Sequence, residues 1–241
     1  MIGSKKAMYA AFGQYLVQIY KDAMLILLCI APFLCGIFFR YLIPVLQELI
    51  LRYFHIREIF APYYLLFDIG MSTMTPLLYC FAAAYIILGE IDDGISRYLA
   101  ITPVGKKGYL ASRLGFPAII AFFLSVLCLR LFSLSKISFL MSLLVSVMAT
   151  LMGFMEALLI VSVAGNKVEG MAVSKMTGIL ILGLPAPFFL MGRVQYLLFF
   201  LPSFWLAKFA LQPKLVSLLA FGIMITLWIG MLYHLFKNKI H

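Results

Sequence analysis

Long apolar runs, interrupted only by short polar clusters, set the pattern of this chain. Residues 1–20 place Met8, Phe12, Tyr15, Leu16 and Ile19 at helical spacing among polar neighbours, which predicts an amphipathic helix on a membrane surface. Lys21 and Asp22 then mark a boundary, and apolar stretches long enough to cross a bilayer follow at about 23–43, 63–89, 114–132, 137–164 and 214–236. Pro32 and Pro76 fall inside the first two spans as expected kinks. Between those spans, residues 44–62 (PVLQELILRYFHIREIFAP) carry charge yet stay apolar on one face, which predicts an interfacial helix and turn. A tight SLSK turn at 133–136 joins the third and fourth spans, and a polar loop, GNKVEGMAVSK, is expected at 165–175. The fifth span begins at Met176 and soon meets Pro185 and Pro187. With Arg193, Tyr196 and the Pro202–Lys208 stretch beyond, it predicts a broken hairpin on the outer side.

Composition settles the solvent. Of 241 residues 65% are hydrophobic and 12% charged, with mean hydropathy +1.09, against about 45–50% and about 25% in soluble domains. The expected fold is therefore an all-α membrane protein of six transmembrane helices, one domain over 1–241, without internal repeats or a soluble module. Residues 1–20 lack the continuous apolar core and small-residue cleavage site of a signal peptide. The net charge of +10 does not point to nucleic acid, because no soluble basic module carries it. Six spans put both termini on one side. With the termini, 90–113 and 165–175 assigned to the cytoplasm, eleven of the nineteen Lys and Arg residues lie inside, the sign of the positive-inside rule. Cys29, Cys35, Cys80 and Cys128 all sit in apolar segments without ligand spacing, and are read as packing residues. His55, His234 and His241 are terminal or interfacial, and no metal site is expected.

The longest polar interruption, EIDDGISRYLAITPVGKKGYLASR at 90–113, has a specific order. Asp92 and Asp93 suit the positive end of a short helix whose apolar side is Ile95, Tyr98, Leu99 and Ile101, and Pro103 stops it. A helix of one or two turns is marginal alone and gains rigidity by docking on a partner. The pattern Glu90-x-Asp92-x-Gly94, Leu99, Thr102-Pro103-Val104, Tyr109-Leu110 and Arg113 resembles the signature of ABC-2 type transporter permeases. Ile95 stands where that family often has threonine. The resemblance, which covers nearly the whole chain, implies that this loop includes the coupling helix that contacts a separate ATP-binding subunit. Glu90, Asp92, Asp93, Gly94, Tyr98, Leu99, Thr102 and Pro103 would then serve ATPase coupling. It further implies a second permease chain, identical or homologous, export across the bacterial cytoplasmic membrane, and ATP and Mg held by the partner rather than by this chain.

The absence of a GxxxxGK[ST] phosphate loop agrees with a partner ATPase. Glu156, about eight residues inside the fourth span and hence about 12 Å deep, is a pathway or structural candidate. Asp68 and Arg130, each about one turn inside the outer boundary, are expected to pair. Arg193 and Tyr196 sit at the outer hairpin, where snorkelling to headgroups is the plainer role. Two alternatives compete with the permease. An ATP-independent secondary transporter would show inverted repeats, and none is visible. A lipid-modifying enzyme would need two further aspartates after Asp92-Asp93-Gly94-x-x-Arg97, and none occurs between Asp93 and Glu156.

Overall fold

The computed structural model describes residues 2–55, 59–94 and 111–239, and among them every regular element is helical. Helix α1 (Ile2–Lys21) stops at Asp22, whose carboxylate accepts the Met24 N–H at 2.9 Å and so caps α2 (Ala23–Phe54). A short 3-10 turn at Ala61–Tyr63 leads into α3 (Tyr64–Asp92). A π turn at Ala111–Gly115 opens α4 (Phe116–Phe132), and α5 (Phe139–Val163) follows behind a Ser138 cap. Then come α6 (Lys167–Thr177), α7 (Ala186–Phe189), α8 (Pro202–Leu211) and α9 (Leu215–Lys239). Six segments have the length and apolarity to cross a bilayer: Ala23–Tyr53, Ala61–Asp92, Ser112–Phe132, Phe139–Val163, Lys167–Phe189 and Leu215–Phe236.

Two boundaries differ from the sequence reading. Residues 44–62 do not form a separate interfacial helix; α2 continues unbroken through Pro32 and Pro44 to Phe54. Each proline removes only one backbone donor, and no glycine or other stop residue follows Pro44 until His55. That residue adopts a left-handed φ of 55° and closes the helix by donating its N–H to Leu51 O at 3.1 Å. At 32 residues the helix is about 48 Å long and outruns a hydrocarbon core of about 30 Å. Tyr64 ties its far end down by donating to Gln47 Oε1 at 2.8 Å. The second difference is that most of 165–175 is helix rather than loop, so the fifth apolar segment starts at Lys167. Asn166 accepts the Glu169 N–H at 2.9 Å, and Glu169 reaches back to the Gly165 N–H, a reciprocal cap that starts α6.

Helices α3 and α5 are the core, each about two-thirds buried, whereas α2 and α9 present most of their surface outward. Pro76 cannot donate to Ser72 O, the carbonyl one turn before it. Ser125 of α4 does so instead, at 2.9 Å, and lies 2.8 Å from Ser72 Oγ and 3.1 Å from Ser146 Oγ of α5. One buried hydroxyl cluster thus joins three helices at the level of Pro76. Beside Pro32, Tyr79 donates to Cys29 O at 3.0 Å and ties α3 to α2. Opposite Pro76, Gly153 lets α5 press against α3: a Cβ there would meet Pro76 O at 2.6 Å and its carbonyl carbon at 2.8 Å.

The fifth segment breaks as the sequence leads one to expect. Beyond α6 a 3-10 turn covers Gly178–Ile181, α7 spans four residues, and Gly192 turns with φ 67°. Side chains bond the carbonyls of this irregular backbone: Ser203 donates to Leu180 O, Trp205 to Phe199 O at 2.7 Å, and Trp228 of α9 to Phe200 O at 3.0 Å.

The α3–α5 contact makes a direct prediction. Gly153→Val will lower the thermal stability of the detergent-purified chain by about 1–3 kcal/mol, because the opposing atoms are backbone and cannot swing away. Gly70→Ala, where an added Cβ meets nothing within 4 Å, will leave the melting curve unchanged. Equal melting of both variants would show that α3 and α5 do not approach so closely.

Candidate functional site

The segment that interrupts the spans leaves α3 at Asp92 and re-enters the bundle at the π turn before α4. Gly94 has φ 70° and donates its N–H to Ile91 O at 3.0 Å, while Asp93 N–H reaches Gly89 O at 2.9 Å; this is a helix stop that glycine alone adopts without strain. Tyr98, Leu99, Thr102 and Pro103, together with Ile95 and Ile101, lie outside the described residues, and so does the expected short helix they would form.

A buried ion pair holds the two ends of this segment. Glu90 is 2% exposed in the last turn of α3, and Arg113 is 1% exposed in the π turn. Arg113 Nε donates to Glu90 Oε2 at 3.1 Å and Nη2 donates to Oε1, a two-point fork. It is the one ion pair among the described residues. Gln18 Nε2 of α1 donates to the same carboxylate at 3.4 Å, so the N-terminal helix is fastened to the base of the segment. Phe12 packs on Phe116 with centroids 5.0 Å apart, and Tyr15 lies buried at 2% exposure, where desolvation pushes its phenol upward and keeps it neutral.

The acidic cluster has a second use. Asp92 Oδ2 accepts the Lys167 N–H at 3.0 Å, which places a carboxylate on the first turn of α6 and links α3 to the fifth segment. The Lys167 ammonium sits 5.1 Å from the Tyr85 ring centroid. Gln18, Lys21, Asp22, Tyr85, Glu90 and Asp93 line a cleft of about 250 Å³ at this end of the bundle.

The remaining sequence candidates lie elsewhere. Asp68 and Arg130 do not pair with each other. Asp68 accepts the Leu134 and Ser135 N–H groups, both at 2.8 Å, and the Ser135 hydroxyl, so the SLSK turn saturates its carboxylate. Arg130 donates to Ile137 O at 3.3 Å, and Arg40 donates to Ser133 O at 2.6 Å. A carboxylate with three neutral donors in reach has no need of a guanidinium, which instead serves a free turn carbonyl. Glu156 is 7% exposed and accepts the Thr177 hydroxyl through Oε1, and its Oε2 has no partner among the described residues. Its contact is with the end of α6, just before the break.

Sequence reasoning missed Gln18 and Thr177 as partners, and it placed Arg113 in the pattern without assigning it to Glu90. The available signal for Glu90 was a carboxylate at the end of an apolar helix, which when buried takes either a cation or several neutral donors.

Six apolar helical segments around an α3–α5 core define a multi-pass membrane protein. The family model for Rv2686c-like proteins, described as fluoroquinolones export permease protein Rv2686c-like, matches residues 15–239. The chain belongs to this family and is a permease of the ABC-2 type. Among its relatives is the fluoroquinolones export permease protein Rv2686c of Mycobacterium tuberculosis (strain ATCC 25618 / H37Rv), 29% identical over 205 residues, covering 83% of this chain and 80% of the relative. The fluoroquinolones export permease protein MT2760 of strain CDC 1551 / Oshkosh matches with the same identity and coverage. No solved structure matches the chain.

The Glu90–Arg113 pair carries a testable asymmetry. Arg113→Met alone will cost about 3–5 kcal/mol in thermal unfolding, because it removes the two-point cationic partner of a buried carboxylate. Adding Glu90→Leu will recover most of that loss. A double variant as unstable as the sum of the single ones would mean that the two groups do not act as a pair.

Proposed function

We propose that this chain is the membrane subunit of an ATP-driven exporter and that a separate ATP-binding subunit, holding ATP and Mg, docks on residues 90–113. The observation that carries this reading is the buried Glu90–Arg113 clamp at the base of that segment, tied by Gln18 to α1. A flexible loop would absorb a push from a partner. A loop whose two ends are pinned by a buried two-point ion pair transmits it to α3 and, through the Asp92–Lys167 contact, to α6. Helix α3 packs most extensively on α5, so displacement at the loop reaches the core of the bundle.

In this reading the loop end is cytoplasmic, as the bias of basic residues supports, and the chain resides in a bacterial cytoplasmic membrane with both termini inside. The broken hairpin of the fifth segment then lies in the outer half. Two six-span chains, identical or homologous, enclose the pathway, and closure of two ATPase subunits shifts them against each other. The names of the relatives extend to this chain a substrate class of planar aromatic zwitterions, the fluoroquinolones.

Purification of the tagged chain from native membranes in mild detergent will recover an ATP-binding subunit in stoichiometric amount. Leu99→Asp will abolish that recovery and ATP-dependent export while membrane insertion stays normal. Export that persists without any ATPase and collapses with the proton gradient would overturn the proposal in favour of a secondary transporter.

A further inference from the structure

The broken hairpin contains a cation that the coupling machinery does not use. Lys208 lies in the last turn of α8, half-buried, with its ammonium 3.8 Å from the Tyr196 ring centroid and 5.4 Å from that of Phe204. It donates to the Tyr196 hydroxyl. Trp205 adds a third ring, 5.1 Å from Phe204 and 6.5 Å from Tyr196. An ammonium has three N–H donors, and the Tyr196 oxygen is the acceptor that the described residues provide. No carboxylate among them pairs with Lys208.

Trp228 lies thirteen residues along α9 from Leu215, about 20 Å at the helical rise, and it bonds Phe200 O. Phe200 therefore lies well below the start of α9, and α8 returns from there towards the outer end, with Lys208 in its last turn. Tyr196, Leu197 and Phe199 of the preceding segment are 43%, 73% and 50% exposed, so an outward-facing apolar and partly aromatic surface borders the cation.

We propose that Lys208, with Tyr196 and the adjoining hairpin rings, forms an outer binding site for an aromatic carboxylate. The acid pairs with the unused ammonium donors, and the planar ring system lies on the exposed Tyr196–Phe199 surface. Aromatic faces hold the lysine in place through cation–π attraction without neutralising it, which leaves its charge for an anion. A fluoroquinolone has this chemistry: a fused planar ring bearing a carboxylate, with an amine at the opposite end. The proposal rests on the substrate reading above and adds where in the chain the acid is recognised. An anionic lipid headgroup shares the charge but not the planar ring, and the experiment separates the two.

The full chain is placed in nanodiscs of phosphatidylcholine, and norfloxacin is titrated while its own fluorescence anisotropy is followed against empty discs. Wild type will bind saturably, Lys208→Met about 10- to 100-fold more weakly, and Lys208→Arg within a few-fold of wild type. Norfloxacin ethyl ester, which lacks the acid, will bind wild type and Lys208→Met equally weakly. Saturable binding by wild type that Lys208→Met leaves unchanged overturns the site while the substrate reading stands. Absence of saturable binding by wild type overturns both. A third arm uses discs doped with phosphatidylglycerol: norfloxacin binding unchanged by Lys208→Met, together with lost phosphatidylglycerol retention, assigns Lys208 to lipid and overturns the proposal.

Discussion

Within a bilayer no water meets the backbone, so every N–H and C=O must find a partner in the protein, and much of this structure follows from that constraint. Straight helix meets it automatically, and each proline violates it at one carbonyl. At Pro76 the chain answers with a specific side chain. Ser125 takes the carbonyl that Pro76 releases, and it belongs to a cluster with Ser72 and Ser146 that fixes α3, α4 and α5 at one depth. In the broken fifth segment Ser203, Trp205 and Trp228 do the same for Leu180, Phe199 and Phe200. A prolyl break is thereby turned into a cross-helix contact, and the irregular segment is held by its neighbours.

Charge obeys a stricter form of the same rule. Glu90 and Arg113 are buried together because either alone would be costly in this environment, and their pairing sets where the polar segment leaves and re-enters the bundle. Asp68 is satisfied differently, by neutral donors of the 133–136 turn, which leaves Arg130 and Arg40 to hold turn carbonyls. The contrast is physical. A two-point ion pair links the ends of two helices rigidly, whereas backbone donors only shape the turn that supplies them.

The two halves of the bundle divide the work accordingly. The loop end concentrates acids, the ion pair and the junctions of α1, α3 and α6. The opposite end carries the proline-broken hairpin with its rings and Lys208. Helices α3 and α5 run between them as the shared core. Glu156 of α5 is bonded to Thr177 where α6 gives way to the break.

The sequence by itself determined the six apolar segments, their approximate limits and the break near Pro185 and Pro187, because hydropathy and proline act through local chain properties. It also marked the polar segment at 90–113 as the distinctive one, through the order of its residues. The continuation of α3 to Asp92 and its stop at Gly94 were not read, because Asp92 and Asp93 suit the start of a helix rather than its end, and the cap that starts α6 was legible in Asn166 and Glu169 although it was read as loop. Tertiary structure alone decided which polar groups meet. Glu90 and Arg113 are 23 residues apart, Gln18 and Glu90 are 72 apart, and Asp68 finds Ser135 rather than Arg130. Partner choice in a dry interior depends on which donors the packing of whole helices brings within about 3 Å, and no local pattern in the chain encodes that.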